Sequence, residues 1–134
     1  MNRSDLPVLA AIAVGGGIGA VSRYGVGHRF PVTAGQVPWS TLLINGVGCF
    51  LIGVLMVLVT EVWSPYRLLR PFLGIGILGG FTTFSTYTNE IRELLASGDA
   101  IVAMAYLAGT VIVALLAVAV GMALTRSAAK AVAA

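Results

Sequence analysis

Nine consecutive residues carry the densest chemistry in this chain: Gly79-Gly80-Phe81-Thr82-Thr83-Phe84-Ser85-Thr86-Tyr87. Four of them, Thr82, Thr83, Ser85 and Thr86, bear hydroxyls that donate and accept hydrogen bonds without carrying charge. Phe84 and Tyr87 stand three apart, a spacing that places two side chains on one helix face. Rings at this spacing either pack in the core or against lipid or, because an aromatic ring has a positive edge, attract an anion that approaches edge-on. The whole set lies midway through a run without Asp, Glu, Lys or Arg, residues 71–89, long enough to cross a bilayer. Non-helical backbone at membrane depth survives only where it is buried or lines an aqueous cavity. The segment therefore points to an ion or solute path rather than to a passive anchor.

Other polar residues fall inside apolar runs at helical spacing. Thr41 and Asn45 are four apart and share a face. A buried amide in lipid needs partners; Asn45 serves either as an interhelical hydrogen-bonding group or as a donor to a passing anion. Tyr106 and Thr110 repeat the four-residue spacing, and Ala114 continues their face. The simplest expectation for Thr110 is a bond back to its own helix carbonyl. Arg23 closes the first charge-free run, where it either snorkels to the interface or holds positive charge at a mouth. Glu90 follows Tyr87 by three residues and is either exposed or bonded to the neighbouring mouth.

Enzyme chemistry finds little support. The one histidine, His28, reads as an interfacial residue in the first loop, with no cysteine or carboxylate near it in sequence. Cys49 is alone, so no intrachain disulfide forms, and it reads as a small apolar packing residue. The letters Gly15-Gly16-Gly17-Ile18-Gly19-Ala20 fit a dinucleotide fingerprint. That fingerprint needs a strand before it and an acidic residue about 20 positions on, and no Asp or Glu occurs between Asp5 and Glu61.

The elements that must position these groups are membrane helices. Charged residues are 10% of the chain, against about 25% in a soluble domain. Four runs lack charge: residues 6–22, 30–60, 71–89 and 100–125. They predict an all-α membrane protein, a single domain over residues 1–134. Its four transmembrane helices fall near 6–26, 39–61, 68–95 and 100–125, the third broken at 79–83. Arg3 and the apolar run after it resemble a signal peptide, but Asp5 and the continued hydrophobicity to Val21 argue against cleavage. The net charge of +3 is spread over every loop and forms no stripe for nucleic acid.

With four spans, one side of the membrane holds Arg3, Arg67, Arg70, Arg126 and Lys130, and the other Arg23, Arg29 and Arg92. The lysine and arginine excess sets orientation, and this bias is slight. Either the chain inserts one way, or it inserts both ways and pairs antiparallel. Glycines 15, 16, 17 and 19 in the first helix and 46, 48 and 53 in the second let backbones approach closely. Four helices are too few to enclose a water-filled pore, so transport requires subunits to associate.

Three blocks carry a resemblance over essentially the whole chain. They are Gly16-Gly17-Ile18-Gly19-Ala20 with Arg23-Tyr24, Trp39-Ser40-Thr41-Leu42 with Asn45 and Gly48, and the segment from Gly79 to Thr86. Together they closely resemble the Fluc family of fluoride channels, also called CrcB proteins. The resemblance implies a fluoride-selective channel, not an enzyme, that exports fluoride passively and lowers its cytoplasmic level. It also implies a multi-pass protein of a bacterial or archaeal inner membrane, an antiparallel dual-topology homodimer with two pores. By position, Asn45, Phe84, Tyr87, Tyr106, Thr110, Thr41 and Ser85 would line the fluoride path, and Arg23 would sit at the vestibule. Backbone carbonyls of Gly79 and Thr82 from both subunits would hold a structural sodium ion at the dimer centre.

These expectations agree with elementary chemistry. Unwound carbonyls suit a hard cation, and the double glycine allows unusual backbone geometry. Fluoride is strongly hydrated, so hydroxyl and amide donors must replace its water. Two positions depart from the family: Tyr87 stands where phenylalanine is usual, and Ala114 where some relatives have a hydroxyl. The competing readings are a non-conducting assembly subunit and, less well supported, a small proton-coupled drug exporter. The latter wants a carboxylate inside a spanning helix.

Overall fold

The computed structural model describes residues 5–33, 35–62 and 67–133. Every regular element among them is a helix. Helix α1 covers Leu6–Arg29, with Pro7 in its first turn, where a missing N–H costs nothing. Helix α2 covers Trp39–Val57 and continues into a π-helical turn, Leu58–Val62. Helix α3, residues 71–81, is π-wound over Pro71–Leu78 and α-helical over Gly79–Phe81. Helices α4, Ser85–Ala96, and α5, Ala100–Ala133, complete the chain.

Three helical stretches are each long and apolar enough to cross a membrane: Leu6–Arg29, Trp39–Val62 and Ala100–Val132. Their outward faces carry exposed Val14, Ile18, Leu43, Leu51, Leu115 and Leu116. In water such a surface would drive association; here it matches hydrocarbon as solvent. Helix α5 has 34 residues, about 50 Å at 1.5 Å per residue, and so outruns a core of about 30 Å. Its last turns carry Arg126, whose Nη2 pairs with Glu61 Oε1 at 2.8 Å.

Two boundaries differ from the sequence reading. Helix α1 runs on to Arg29, so His28 is in its last turn, stacked on Tyr24 with ring centroids 6.1 Å apart, and not in a loop. The i, i+4 spacing of the two rings adds local support that a hydropathy run does not register. Helix α5 likewise passes residue 125, since no glycine or proline follows and the alanines at 128, 129, 131 and 133 favour helix.

Packing follows the small residues. Helix α1 lies on α3, and α2 on α5, with backbone against backbone. A Cβ on Gly76 would come within 2.9 Å of Gly15 Cα, and one on Gly121 within 3.2 Å of Val54 N. The glycines of α1 are not equivalent, because a Cβ on Gly16 or Gly17 would meet open space.

The double glycine acts differently from expectation. Gly79 has φ −66 and ψ −35, ordinary helical values. A Cβ on Gly80 would fall 3.0 Å from Gly16 Cα. Gly80 therefore serves close helix approach, whereas a Cβ on Gly79 would meet only the Gly74 carbonyl of its own helix, at 3.8 Å; neither glycine has a positive φ. The helix breaks after it, at Thr82, with φ −74 and ψ 157.

The turn from α4 to α5 is a Schellman closure. Gly98, with φ +88, takes the left-handed position. The Asp99 N–H donates to the Leu94 carbonyl and the Gly98 N–H to the Leu95 carbonyl.

Candidate functional site

The break between α3 and α4 is held by side chains that replace the lost helical ladder. In a continuous helix the Thr83 N–H would go to Gly79, and that of Thr86 to Thr82. Instead Thr83 N–H donates to Asn45 Oδ1 at 2.9 Å, and Thr86 N–H to Thr83 Oγ1 at 3.1 Å. The second contact satisfies an orphan donor in the first turn of α4. Asn45 also returns a bond, from Nδ2 to the Thr83 carbonyl at 2.9 Å. Its amide thus clamps both polar groups of one backbone residue, and this fixes which end is oxygen.

Arg23 reaches the same break. Its Nη1 donates to the Thr82 carbonyl at 3.2 Å. The side chain turns inward from α1 and does not snorkel outward. Thr82 Oγ1 bonds back to the Leu78 carbonyl at 2.8 Å, so it is directed along its own helix.

A cavity of about 270 Å³ opens beside the clamp, lined by Asn45, Cys49, Thr83, Phe84, Tyr87 and Thr110 among others. The two rings have centroids 5.9 Å apart and planes tilted by 51°. They differ in burial: Phe84 is 77% exposed and Tyr87 only 7%. Thr110 is also 7% exposed, and its Oγ1 is buried with no hydrogen-bond partner. The expected bond back to its own helix is absent. Thr110 is among the residues that line the cavity.

A second cavity, of about 240 Å³, lies on the other side of Thr83 and is lined by Arg23, Thr41, Thr86 and Glu90 among others. Here the structure joins residues that the sequence reading kept apart. Glu90 is buried and accepts two hydroxyl bonds, from Thr41 Oγ1 to Oε1 and from the Tyr106 hydroxyl to Oε2, both 2.7 Å. Helices α2, α4 and α5 are tied through this one carboxylate. Glu90 was not among the candidate path residues, since it lies just past the end of the charge-free run. The one available signal was its i, i+3 relation to Tyr87.

The candidates therefore divide. Asn45, Phe84, Tyr87 and Thr110 share the first cavity, and Thr41 and Arg23 the second, with Thr83 between. Tyr106 stands behind Tyr87, edge to face, with centroids 5.3 Å apart. Ser85 is exposed, its Oγ 3.4 Å from Thr83 Oγ1. His28 is exposed at the end of α1.

Apolar spanning helices, a break held by side chains and a cavity with hydroxyl, amide and ring-edge groups define a multi-pass membrane protein. Comparison with known proteins agrees. Residues 10–122 match the family described as "CrcB-like protein, Camphor Resistance (CrcB)", and the chain belongs to that family. It is 58% identical over 117 residues to "Fluoride-specific ion channel FluC 2" of Nocardia farcinica, covering 87% of this chain and 84% of that one. Against "Fluoride-specific ion channel FluC 1" of Streptomyces coelicolor the identity is 52% over 116 residues, covering 87% and 75%. "Fluoride-specific ion channel FluC" of Rhodospirillum centenum is 39% identical over 127 residues, covering 92% of this chain and 98% of its own.

Proposed function

We infer that this chain is a fluoride-selective ion channel of the cell membrane, through which fluoride leaves the cytoplasm down its electrochemical gradient. Family membership and the printed names of relatives at up to 58% identity support the reading. The observation that carries it is the first cavity. One N–H of Asn45 is engaged by Thr83, its amide has a second, and Thr110 Oγ1 lacks any protein partner. Neutral donors of this kind replace fluoride's water without the deep well of a full positive charge.

The working unit is an antiparallel homodimer. Pieces 71–81 and 85–96 together form a third crossing, so that each subunit has four. Phe84, 77% exposed beside the cavity, supplies a ring edge to a path completed by the second copy. Tyr87 contributes an edge from within the subunit. Thr41 and Tyr106, whose hydroxyls donate to Glu90, border the polar track, Ser85 lies at its margin, and Arg23 draws anions into the second cavity.

A structural sodium ion fits the break. The donors that would have occupied the Gly79 and Thr82 carbonyls are diverted to Asn45 and Thr83. Two carbonyls from each copy give the hard oxygen set that sodium prefers. The Thr82 carbonyl also accepts from Arg23, and its second lone pair leaves room for a cation. Purification in potassium in place of sodium should weaken the dimer; equal dimer stability in both salts would remove sodium from the account.

Growth of a fluoride-sensitive host tests the function. The wild-type chain should restore growth in fluoride, and Phe84→Ile should fail to do so although the dimer still assembles. Equal rescue by Phe84→Ile would remove the ring edge from the mechanism. Drug resistance without fluoride rescue would favour an exporter.

A further inference from the structure

Tyr87 carries a hydroxyl that a ring edge does not need. It donates to the Leu107 carbonyl on α5 at 2.8 Å. Tyr106 reaches the other way, from α5 to Glu90 on α4, at 2.7 Å. The two rings meet edge to face, with centroids 5.3 Å apart and planes at 67°. Helices α4 and α5 thus exchange one tyrosine hydroxyl each across a shared aromatic contact.

We propose that the Tyr87 hydroxyl is a positioning strut, which ties α4 to α5 and holds the Tyr87 ring edge at the cavity wall without itself donating to the anion. This rests on the fluoride-channel reading above. A phenol oxygen lies on the long axis of its ring, so the bond to Leu107 fixes where the ring points. The plane is set separately, by the contact with Tyr106. The hydroxyl has one proton, and the carbonyl holds it. Donation to an anion therefore falls to Asn45 and Thr110, which line the same cavity.

Leu107 lies inside α5, where a carbonyl accepts the backbone N–H four residues on. Loss of the strut leaves that carbonyl satisfied. The strut therefore acts on geometry more than on folding. Its removal should change how fast the path conducts, and neither how tightly it holds fluoride nor which halide it passes.

The test is Tyr87→Phe, reconstituted as the full dimer in liposomes and compared with wild type for fluoride and chloride efflux across a range of fluoride concentrations. Maximal fluoride efflux per dimer should fall roughly two- to tenfold, the size of one hydrogen bond. The half-saturating fluoride concentration and the exclusion of chloride should not change. Replacement of Tyr87 by 4-aminophenylalanine, which keeps an N–H donor, should restore the rate; 4-methoxyphenylalanine, which has none, should not.

Unchanged efflux in Tyr87→Phe would overturn the strut. So would a raised half-saturating concentration or a chloride leak, because either means direct contact with the anion. A Tyr87→Phe chain that fails to assemble contradicts the claim that geometry and not folding is at stake. Failure of the wild-type chain to conduct fluoride would sink the channel reading and the strut with it, whereas a conducting wild type isolates the strut.

Discussion

Asn45 gives both ends of its amide to Thr83, and this makes it the polar residue of the site that is hardest to replace. Asn45→Ala would strand a buried N–H and a carbonyl at the helix break, at about 1–3 kcal/mol for each unsatisfied group. The expected outcome is a lower melting temperature together with lost fluoride efflux. A variant that melts like wild type would show that the clamp is dispensable. Thr110 is the opposite case, for its hydroxyl has no protein partner to lose. Thr110→Val should melt at or above the wild-type temperature while fluoride efflux falls; undiminished efflux would remove Thr110 from the path. The face shared by Thr41 and Asn45 was legible from a four-residue spacing, but their partners were not. One meets Glu90 and the other Thr83, both more than thirty residues away. Burial of a carboxylate by two hydroxyls from two other helices leaves no local pattern to read.

At the scale of elements, glycine spacing announced close helix contact and hydropathy runs announced the helices. Which glycines make the contact is a matter of helix rotation, and composition is blind to it. A Cβ on Gly19 would lie 2.7 Å from Phe81 N, whereas one on Gly17 meets nothing within 4 Å. Gly19→Ala should therefore push α1 off α3 and lower the thermal stability of the protein in detergent, while Gly17→Ala leaves it unchanged. Equal effects would mean that α1 is packed in another rotation. The break itself was legible as a cluster of hydroxyls after two glycines, although placed slightly early. Gly80 stays helical with its missing side chain turned to the backbone of α1 at Gly16. Thr82 takes the extended turn because Asn45 and Thr83 satisfy the groups it frees. The π winding of Pro71–Leu78 has no sequence signal that we can identify.

For the whole molecule, the subunit alone leaves an open cavity and an exposed aromatic ring at the depth where its hydroxyls gather. Phe84 at 77% exposure makes sense as part of a path once a second copy faces it. On the four crossings predicted from sequence, the basic residues divide five to three, which gives little preference for one orientation. A chain so balanced can insert both ways, and an antiparallel pair places two identical half-sites on either side of one axis. The family was legible at this scale, because its blocks fall in three of the four predicted crossings. Stoichiometry and orientation come from the family resemblance alone, because no local spacing encodes them.

Fluoride efflux from liposomes holding the purified protein, followed with a fluoride electrode and with chloride as control, tests the central claim most directly. The account predicts rapid fluoride release with little chloride release. Intact, well-folded protein that releases neither ion, or both at similar rates, would contradict it.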